Sequence, residues 1–367
     1  MGELWDIYDE NRKKTGKTAE RDVYQFKNGE YHIVVTGIIL NFKNEILISK
    51  RAPFKRHGNL WECNGGSILT GETSIDGILR ELREELGIKF DRDDAIFLKE
   101  VKRDRNVPDF KDLWLFQKDI AISEITFPDG EATEAKWVTI EKFMQMYSNK
   151  EIVPTVNFGE EEYQLALEKL RQKNIEKYYN NTESDKPSKA LRYLIEKLEC
   201  QPGKAIDLGC GAGNDTVYLI KNNWNVLAVD REDVEERIQK RLTQEQIKQF
   251  RFQRELFESI KLPECDLMVA FSSLSFCNKE KIVELWAKIK ESIVPGGYFV
   301  GNFFGIHDSW AKNKMQMTFF DEKEINDLFK NFEIIKFKEI EEDGITGLKR
   351  KKHWHIFILI AKKEERK

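Results

Sequence analysis

Three carboxylates in this chain, Glu81, Glu84 and Glu85, are spaced to act together. On a helix turning about 100° per residue they share one arc of about 100°, while Ile75, Ile78, Leu79, Leu82 and Leu86 form a separate apolar stripe. Three like charges side by side repel unless a cation lies among them, and hard oxygen donors suit Mg²⁺ or Mn²⁺. The bland alternative is a solvated acidic helix face. A second constellation is a glycine run. Gly209, Gly211 and Gly213 stand where a strand gives way to a helix, Asp207 precedes them, and Asp230 ends the next strand 21 residues after Gly209. Glycines at such a turn let the backbone approach a ligand, and an acid at the next strand tip takes a ribose diol. The spacing is Gly-x-Gly-x-Gly, not the Gly-x-Gly-x-x-Gly of dinucleotide sites. Asp207 would disfavour a pyrophosphate and favour the cationic S-adenosylmethionine; a purely structural strand–turn–helix unit is the alternative.

Residues 65–88, GGSILTGETSIDGILRELREELGI, resemble the signature of the Nudix hydrolases at every fixed position. The resemblance implies hydrolysis of a nucleoside diphosphate linked to another moiety. It makes Glu81, Glu84 and Glu85 metal ligands, helped by the carbonyl of Gly66, and pairs Arg80 with Glu72 to hold the loop against the helix. The general base stays open between Glu84 and a carboxylate outside the signature. Gly87 and Ile88 are expected to be structural, as a helix cap and a core contact. The stretches WDIYDENRKKTG and ISKRAPFKRHGNLWECNGGS look like the branch related to isopentenyl-diphosphate isomerase. That isomerase uses a catalytic Cys, and Cys63 lies nearby, but Asn64-Gly65-Gly66 follows it where a His-Pro would be required. Cys63 is therefore expected to be a small buried residue. Lys50, Arg51, Lys55, Arg56 and His57 either hold a substrate diphosphate or form a solvated loop.

The segment DLGCGAGNDTVYL resembles the class I methyltransferases, and SLSFCN with PGGYFVGNFFGIHDSW looks like their tellurite-resistance-type branch, over about residues 174–367. By that resemblance Asp207, Gly209, Gly211 and Gly213 line the methionine end of S-adenosylmethionine, and Asp230 takes the ribose hydroxyls. Glu255 is the adenine-side acid and Ser272 faces the sulfonium. Methyl transfer needs alignment above all, so no metal is implied for this part. Tyr178, Tyr179, Phe276, His307 and Trp310 are acceptor-side candidates by position. His307 is a base or else satisfied by its neighbour Asp308, and no chemistry is expected of His353 and His355.

The elements that must position these residues fall into two rhythms. Residues 31–40 and 45–50 read as strands, 74–86 as a helix, 112–122 as a strand, 134–147 as a strand running into a helix, and 159–179 as a polar helix. Residues 180–190 have the strongest loop composition. From Leu191 strands alternate with helices, one of them around 233–249, which indicates parallel βαβ units. Two final strand-like runs with no helix between them form an antiparallel hairpin. The expected fold class is α/β: a Nudix α/β/α sandwich with a mixed sheet over residues 1–170, then a Rossmann-like seven-stranded methyltransferase domain over 171–367.

Composition agrees with two or three domains in 367 residues. Twenty-four Phe and eight Trp exclude wholesale disorder. The net charge of −4 lacks the basic footprint of a nucleic-acid binder, and the run Lys349–Lys352 reads as a solvated turn between two strands. Five scattered cysteines make neither a disulfide framework nor a metal pair, and the opening residues lack an apolar signal core, so a reduced cytoplasmic protein is expected. The expectation is a bifunctional enzyme acting on small molecules, with no nucleic-acid or membrane partner. The alternatives are a methyltransferase regulated by a nucleotide-sensing Nudix domain, and an RNA-modifying enzyme.

Overall fold

The computed structural model describes residues 2–257, 259–313 and 317–365. The chain divides into two compact units, Met1–Lys173 and Asn174–Lys367.

In the first unit, β1 (Leu4–Tyr8) and β2 (Lys14–Glu20) form an antiparallel pair of their own. The main sheet is built from β3 (His32–Leu40), β4 (Ile46–Arg51), β5 (Trp61–Glu62), β6 (Ile96–Arg103), β7 (Asp109–Gln117) and β8 (Ala132–Val138). Its order is β5-β4-β3-β7-β6, with β8 also on β4. The β3–β7 pair is parallel and the others are antiparallel, so the sheet is mixed. The helix α1 (Ser74–Leu86) lays Ile78, Leu82 and Leu86 into a core with Ile33, Val35 and Phe116. A second core takes Ile38, Leu40, Leu113 and Leu115 together with residues of α2 (Ile140–Ser148) and of α3 (Glu160–Thr182). Apolar residues of β3 thus serve two cores, as the alternation of a strand dictates. This is the α/β/α sandwich.

In the second unit α4 (Lys189–Lys197) precedes β9 (Lys204–Leu208), α5 (Asn214–Lys221) and β10 (Asn225–Asp230). Next come α6 (Glu235–Gln239), α7 (Gln244–Ile247), β11 (Phe250–Arg254), β12 (Cys265–Ala270), α8 (Ile282–Ser292) and β13 (Ile293–Phe304). The unit ends with α9 (Glu322–Leu328), β14 (Phe332–Ile345) and β15 (Lys351–Lys363). The seven-stranded sheet has the order β11-β10-β9-β12-β13-β15-β14. Its first five strands are parallel, and β15 runs antiparallel to both neighbours. The strand order reverses at β9 and β12, which puts a crevice at their carboxyl ends, where the glycine turn follows β9.

Several expectations are corrected. The helix around 233–249 is two short ones, because Thr243 accepts from the Gln246 backbone while the Gln246 side chain accepts from the Thr243 backbone, a capping box that starts a new helix. The strand placed at 112–122 runs instead over Asp109–Gln117, and α3 takes three residues from the loop placed at 180–190. Lys349 does lie in the hairpin turn, with φ of 61°. Lys352 is no solvated residue: its side chain is buried in an ion pair with Asp308. All five cysteines are free thiols. Among the described residues no helix is long and apolar enough to cross a membrane.

Candidate active sites

The first site is anchored by α1. Thr73 caps its start in a reciprocal box with Asp76, and Gly87, at φ of 70°, closes its end by donating to the Arg83 carbonyl. With the helix so registered, Glu85 points inward. It is buried and accepts from Asn64 Nδ2 at 2.9 Å and from the Gly65 backbone at 3.0 Å. Arg80 grips Glu72 through Nε (2.8 Å) and Nη2 (3.1 Å), and its Nη1 reaches Glu81 (2.8 Å) and Glu84 (3.0 Å). Despite burial, those hydrogen bonds keep the Arg80 guanidinium charged. The Gly66 carbonyl oxygen accepts from the Val35 N–H at 2.8 Å. A Cβ at Gly66 would lie 2.5 Å from Glu81 Oε1, so only glycine lets this carboxylate come so close.

Burial pushes the Glu85 carboxyl well above the carboxylate range, with the charges of Glu62 and Glu81 adding to it. Burial likewise raises Glu81, against the pull of Arg80. A buried group of mutually repelling oxygen donors fits a hard divalent cation. The sequence reading missed two further carboxylates. Asp129 and Glu131 bring oxygens to within 4.8 Å of those of Glu85. The loop that carries them is tied to α1, Thr126 donating to the Leu86 carbonyl at 3.2 Å and Asp129 to the Glu84 carbonyl at 3.3 Å.

Of the five cations near Cys63, two belong to this neighbourhood. Lys55 pairs with Glu131, and Arg51 holds both oxygens of Glu62 at 2.6 and 2.5 Å. Lys50 pairs with Glu134, while Arg56 and His57 are exposed. Cys63 is buried in the core beside Leu113, and burial pushes its thiol up to about 12, a packing residue and no nucleophile at neutral pH.

The second site lies at the carboxyl ends of β9 and β10. Gly209, Gly211 and Gly213 all have positive φ, at 78°, 53° and 77°. Asp230 is nearly buried at the tip of β10, and its two carboxylate oxygens accept from the Gly211 N–H (2.9 Å) and the Glu232 N–H (3.0 Å). A Cβ on Gly211 would meet nothing within 4 Å, so the turn opens onto free space. Behind Gly209 stands Ser273, whose hydroxyl is buried without a hydrogen-bond partner among the described residues. An open glycine turn, a fixed acid and an unpaired buried hydroxyl fit a nucleoside-type cofactor. Ser273 is another residue the sequence reading passed over.

Asp207 is buried against Thr216 of α5, whose hydroxyl donates to it at 2.6 Å; burial and then Asp215 raise its carboxyl. An acid in that state suits a cationic neighbour. Glu255 donates its backbone N–H to the Asp230 carbonyl at 3.0 Å, which sets it at the adjoining strand tip. Ser272, at the tip of β12, is held with φ of 49° by a backbone hydrogen bond to the buried Asn302. Tyr178 and Tyr179 pair edge to face at 5.7 Å; Tyr178 is exposed and Tyr179 buried, and burial followed by the charge of Asp230 raises the Tyr179 hydroxyl.

Phe276 and Trp310 lie 6.0 Å apart, next to Phe304, and Lys352 sits 4.1 Å from the Trp310 ring and 4.0 Å from that of Trp354. His307 is not satisfied by Asp308. It stacks on His355 at 4.8 Å and meets Glu341 at 3.2 Å, whereas Asp308 takes Lys352 and the Trp310 N–H. His353 and His355 pair with Asp343 and Glu339, both at 2.7 Å.

Residues 30–156 match the NUDIX domain family, and residues 172–347 match the family described as Tellurite resistance protein TehB. The chain is 36% identical over 154 residues to an uncharacterized Nudix hydrolase of Listeria monocytogenes, covering 41% of this chain and 89% of that one. Over 87 residues it is 32% identical to the isopentenyl-diphosphate Delta-isomerase of Pectobacterium atrosepticum, covering 23% of this chain and 46% of the other. Among solved structures it is similar to the 1,6-didemethyltoxoflavin-N1-methyltransferase of Burkholderia thailandensis. That likeness has a TM-score of 0.41 and 21% identity, over 53% of this chain and 88% of that one.

Proposed function

From a chain that belongs to the Nudix hydrolase family and carries a TehB-type methyltransferase domain beside it, both of them enzyme families, we propose a bifunctional enzyme. Its first unit hydrolyses a nucleoside-diphosphate-linked small molecule with Mg²⁺ or Mn²⁺. Its second methylates a small-molecule acceptor with S-adenosylmethionine.

The observation that carries the hydrolase reading is the acid cluster on α1. Glu81, Glu84 and Glu85 would hold the metal, with the Gly66 carbonyl and with Asp129 and Glu131 facing Glu85. The bound cation supplies neutralisation of charge on the phosphate oxygens during attack by water. Arg80 keeps Glu81 and Glu84 aimed, Glu72 keeps Arg80 in place, and Asn64 with Gly65 fixes Glu85. Glu84, or Asp129 or Glu131 outside the signature, would take the water's proton. Mg²⁺-dependent phosphate or nucleotide release from a panel of nucleoside-diphosphate derivatives tests the reading. Glu85→Gln should abolish release; unaltered turnover would overturn it. The complete acid set weighs against a purely sensing domain, which has no need of so many metal ligands.

In the second unit Asp230 would hold the ribose hydroxyls of the cofactor, while Gly209, Gly211 and Gly213 admit its backbone-facing side. Asp207 and Ser272 serve the methionine and sulfonium side and Glu255 the adenine side. Tyr178, Tyr179, Phe276 and Trp310 offer apolar walls for an acceptor, so this chain's residues position and exclude water rather than perform acid–base work. S-adenosylhomocysteine should raise the melting temperature of the full chain, and Asp230→Ala should remove the rise.

A further inference from the structure

A cavity of about 130 Å³ opens beside the hydrolase centre, and its walls carry four basic side chains, Arg51, Arg103, Arg105 and Lys111. Gly65 belongs to both places: it lines the cavity, and its N–H donates to Glu85. Glu62 and Cys63 complete that edge. The far wall comes from the parallel β3–β7 register, which sets Lys111 opposite Val34, and from the antiparallel β6–β7 register, which sets Arg103 opposite Asp109.

The charges do not cancel. Asp109, fully buried, is shared by Arg103 and Arg105, and Glu62 answers Arg51. Lys111 is itself buried, and its ammonium group donates to the carbonyls of Thr155 (2.7 Å) and Val156 (2.9 Å) rather than to a carboxylate. Three guanidinium groups therefore face two carboxylates, and Lys111 adds a fourth basic group with no carboxylate partner among the described residues. Burial, then the nearby Arg103, brings Lys111 down to about 7, so an arriving anion would draw a proton onto it. Burying an unpaired lysine costs stability, and a packed core has no use for it at this point. A cationic cavity that shares a wall with the proposed diphosphate-cleaving centre offers room for the far end of its substrate.

We infer that this cavity is an oxyanion subsite, which selects nucleoside-diphosphate derivatives whose second moiety carries a carboxylate or a further phosphate. The inference rests on the hydrolase reading for its substrate, while the subsite itself is open to test without turnover. The fork-shaped groups of Arg103 and Arg105 suit either oxyanion, and Lys111 adds a point charge behind them.

The test is titration of the full chain with inorganic phosphate in excess EDTA at pH 7, which leaves the acid cluster without metal. Saturable binding is expected, weakened at least tenfold in both Lys111→Met and Arg105→Ala; Arg105 is partly exposed, and Arg103 still pairs with the buried Asp109 when it is lost. Each variant's unfolding transition is recorded alongside. Absence of saturable binding, or binding that both folded variants retain unchanged, overturns the subsite. With Mg²⁺ present, the matched pairs UDP-glucuronate with UDP-glucose and NADPH with NADH separate a carboxylate from a phosphate preference. A preference for the anionic member that Arg105→Ala erases is expected, and equal rates within both pairs contradict the selection. Loss of all hydrolysis with phosphate binding intact would instead strike the hydrolase reading.

Discussion

At the scale of single residues, the hydrolase centre is a balance between acids and the few groups that restrain them. Arg80 answers Glu81 and Glu84, but among the described residues Glu85 accepts from Asn64 and a backbone N–H alone. Glu85→Gln should therefore lower Mg²⁺-dependent turnover by more than about 100-fold while leaving the fold intact, since removing a mutually repelling charge costs the metal-free protein nothing. A melting curve beside the rate assay checks both halves. Lys111 makes a pH prediction. Its folded value of about 7 lies below an unfolded value of about 10.4, so the folded state resists its protonation. Stability from this group is present above the unfolded value and is lost as pH falls towards the folded one. Between pH 9.5 and 7 the wild type should lose on the order of 1–3 kcal/mol that Lys111→Met does not lose. Parallel pH profiles in the two proteins would refute this.

At the scale of elements, the glycine turn after β9 is held from behind. A Cβ at Gly209 would stand 2.3 Å from the Ser273 Cβ, at a φ of 78° that disfavours any side chain. Gly209→Ala should destabilise the full chain by about 1–3 kcal/mol and abolish the thermal shift given by S-adenosylhomocysteine. Gly211→Ala, at similar φ but with open space, should cost less, by denaturant titration. In the terminal hairpin Lys352→Met leaves Asp308 buried and uncompensated, with an expected loss of about 3–5 kcal/mol.

What sequence reading reached at this scale, and what it did not, follows from range. The α1 site was readable because its acids, stripe and caps all lie within one helix and its leading loop. Asp129, Glu131 and the basic cavity come from loops and strands whose pairing registers meet only in the folded sheet. The break between α6 and α7 had a local signal, Thr243 with Gln246, that helical periodicity masked. The burial of Lys352 had none, since nothing near it in the chain announces Asp308, 44 positions away.

At the scale of the whole molecule, one chain of net charge −4 matches two family models over successive stretches, and the proposal gives each of its two units a site of its own. The two proposed activities should be separable by single substitutions. The most direct measurement follows, in one full-length preparation, Mg²⁺-dependent cleavage of a nucleoside-diphosphate derivative and the S-adenosylhomocysteine thermal shift. Three proteins are compared: wild type, Glu85→Gln and Asp230→Ala. Glu85→Gln should lose cleavage and keep the shift, and Asp230→Ala should keep cleavage and lose the shift. Wild type that cleaves nothing with Mg²⁺, or a Glu85→Gln protein that cleaves as wild type does, would contradict the account.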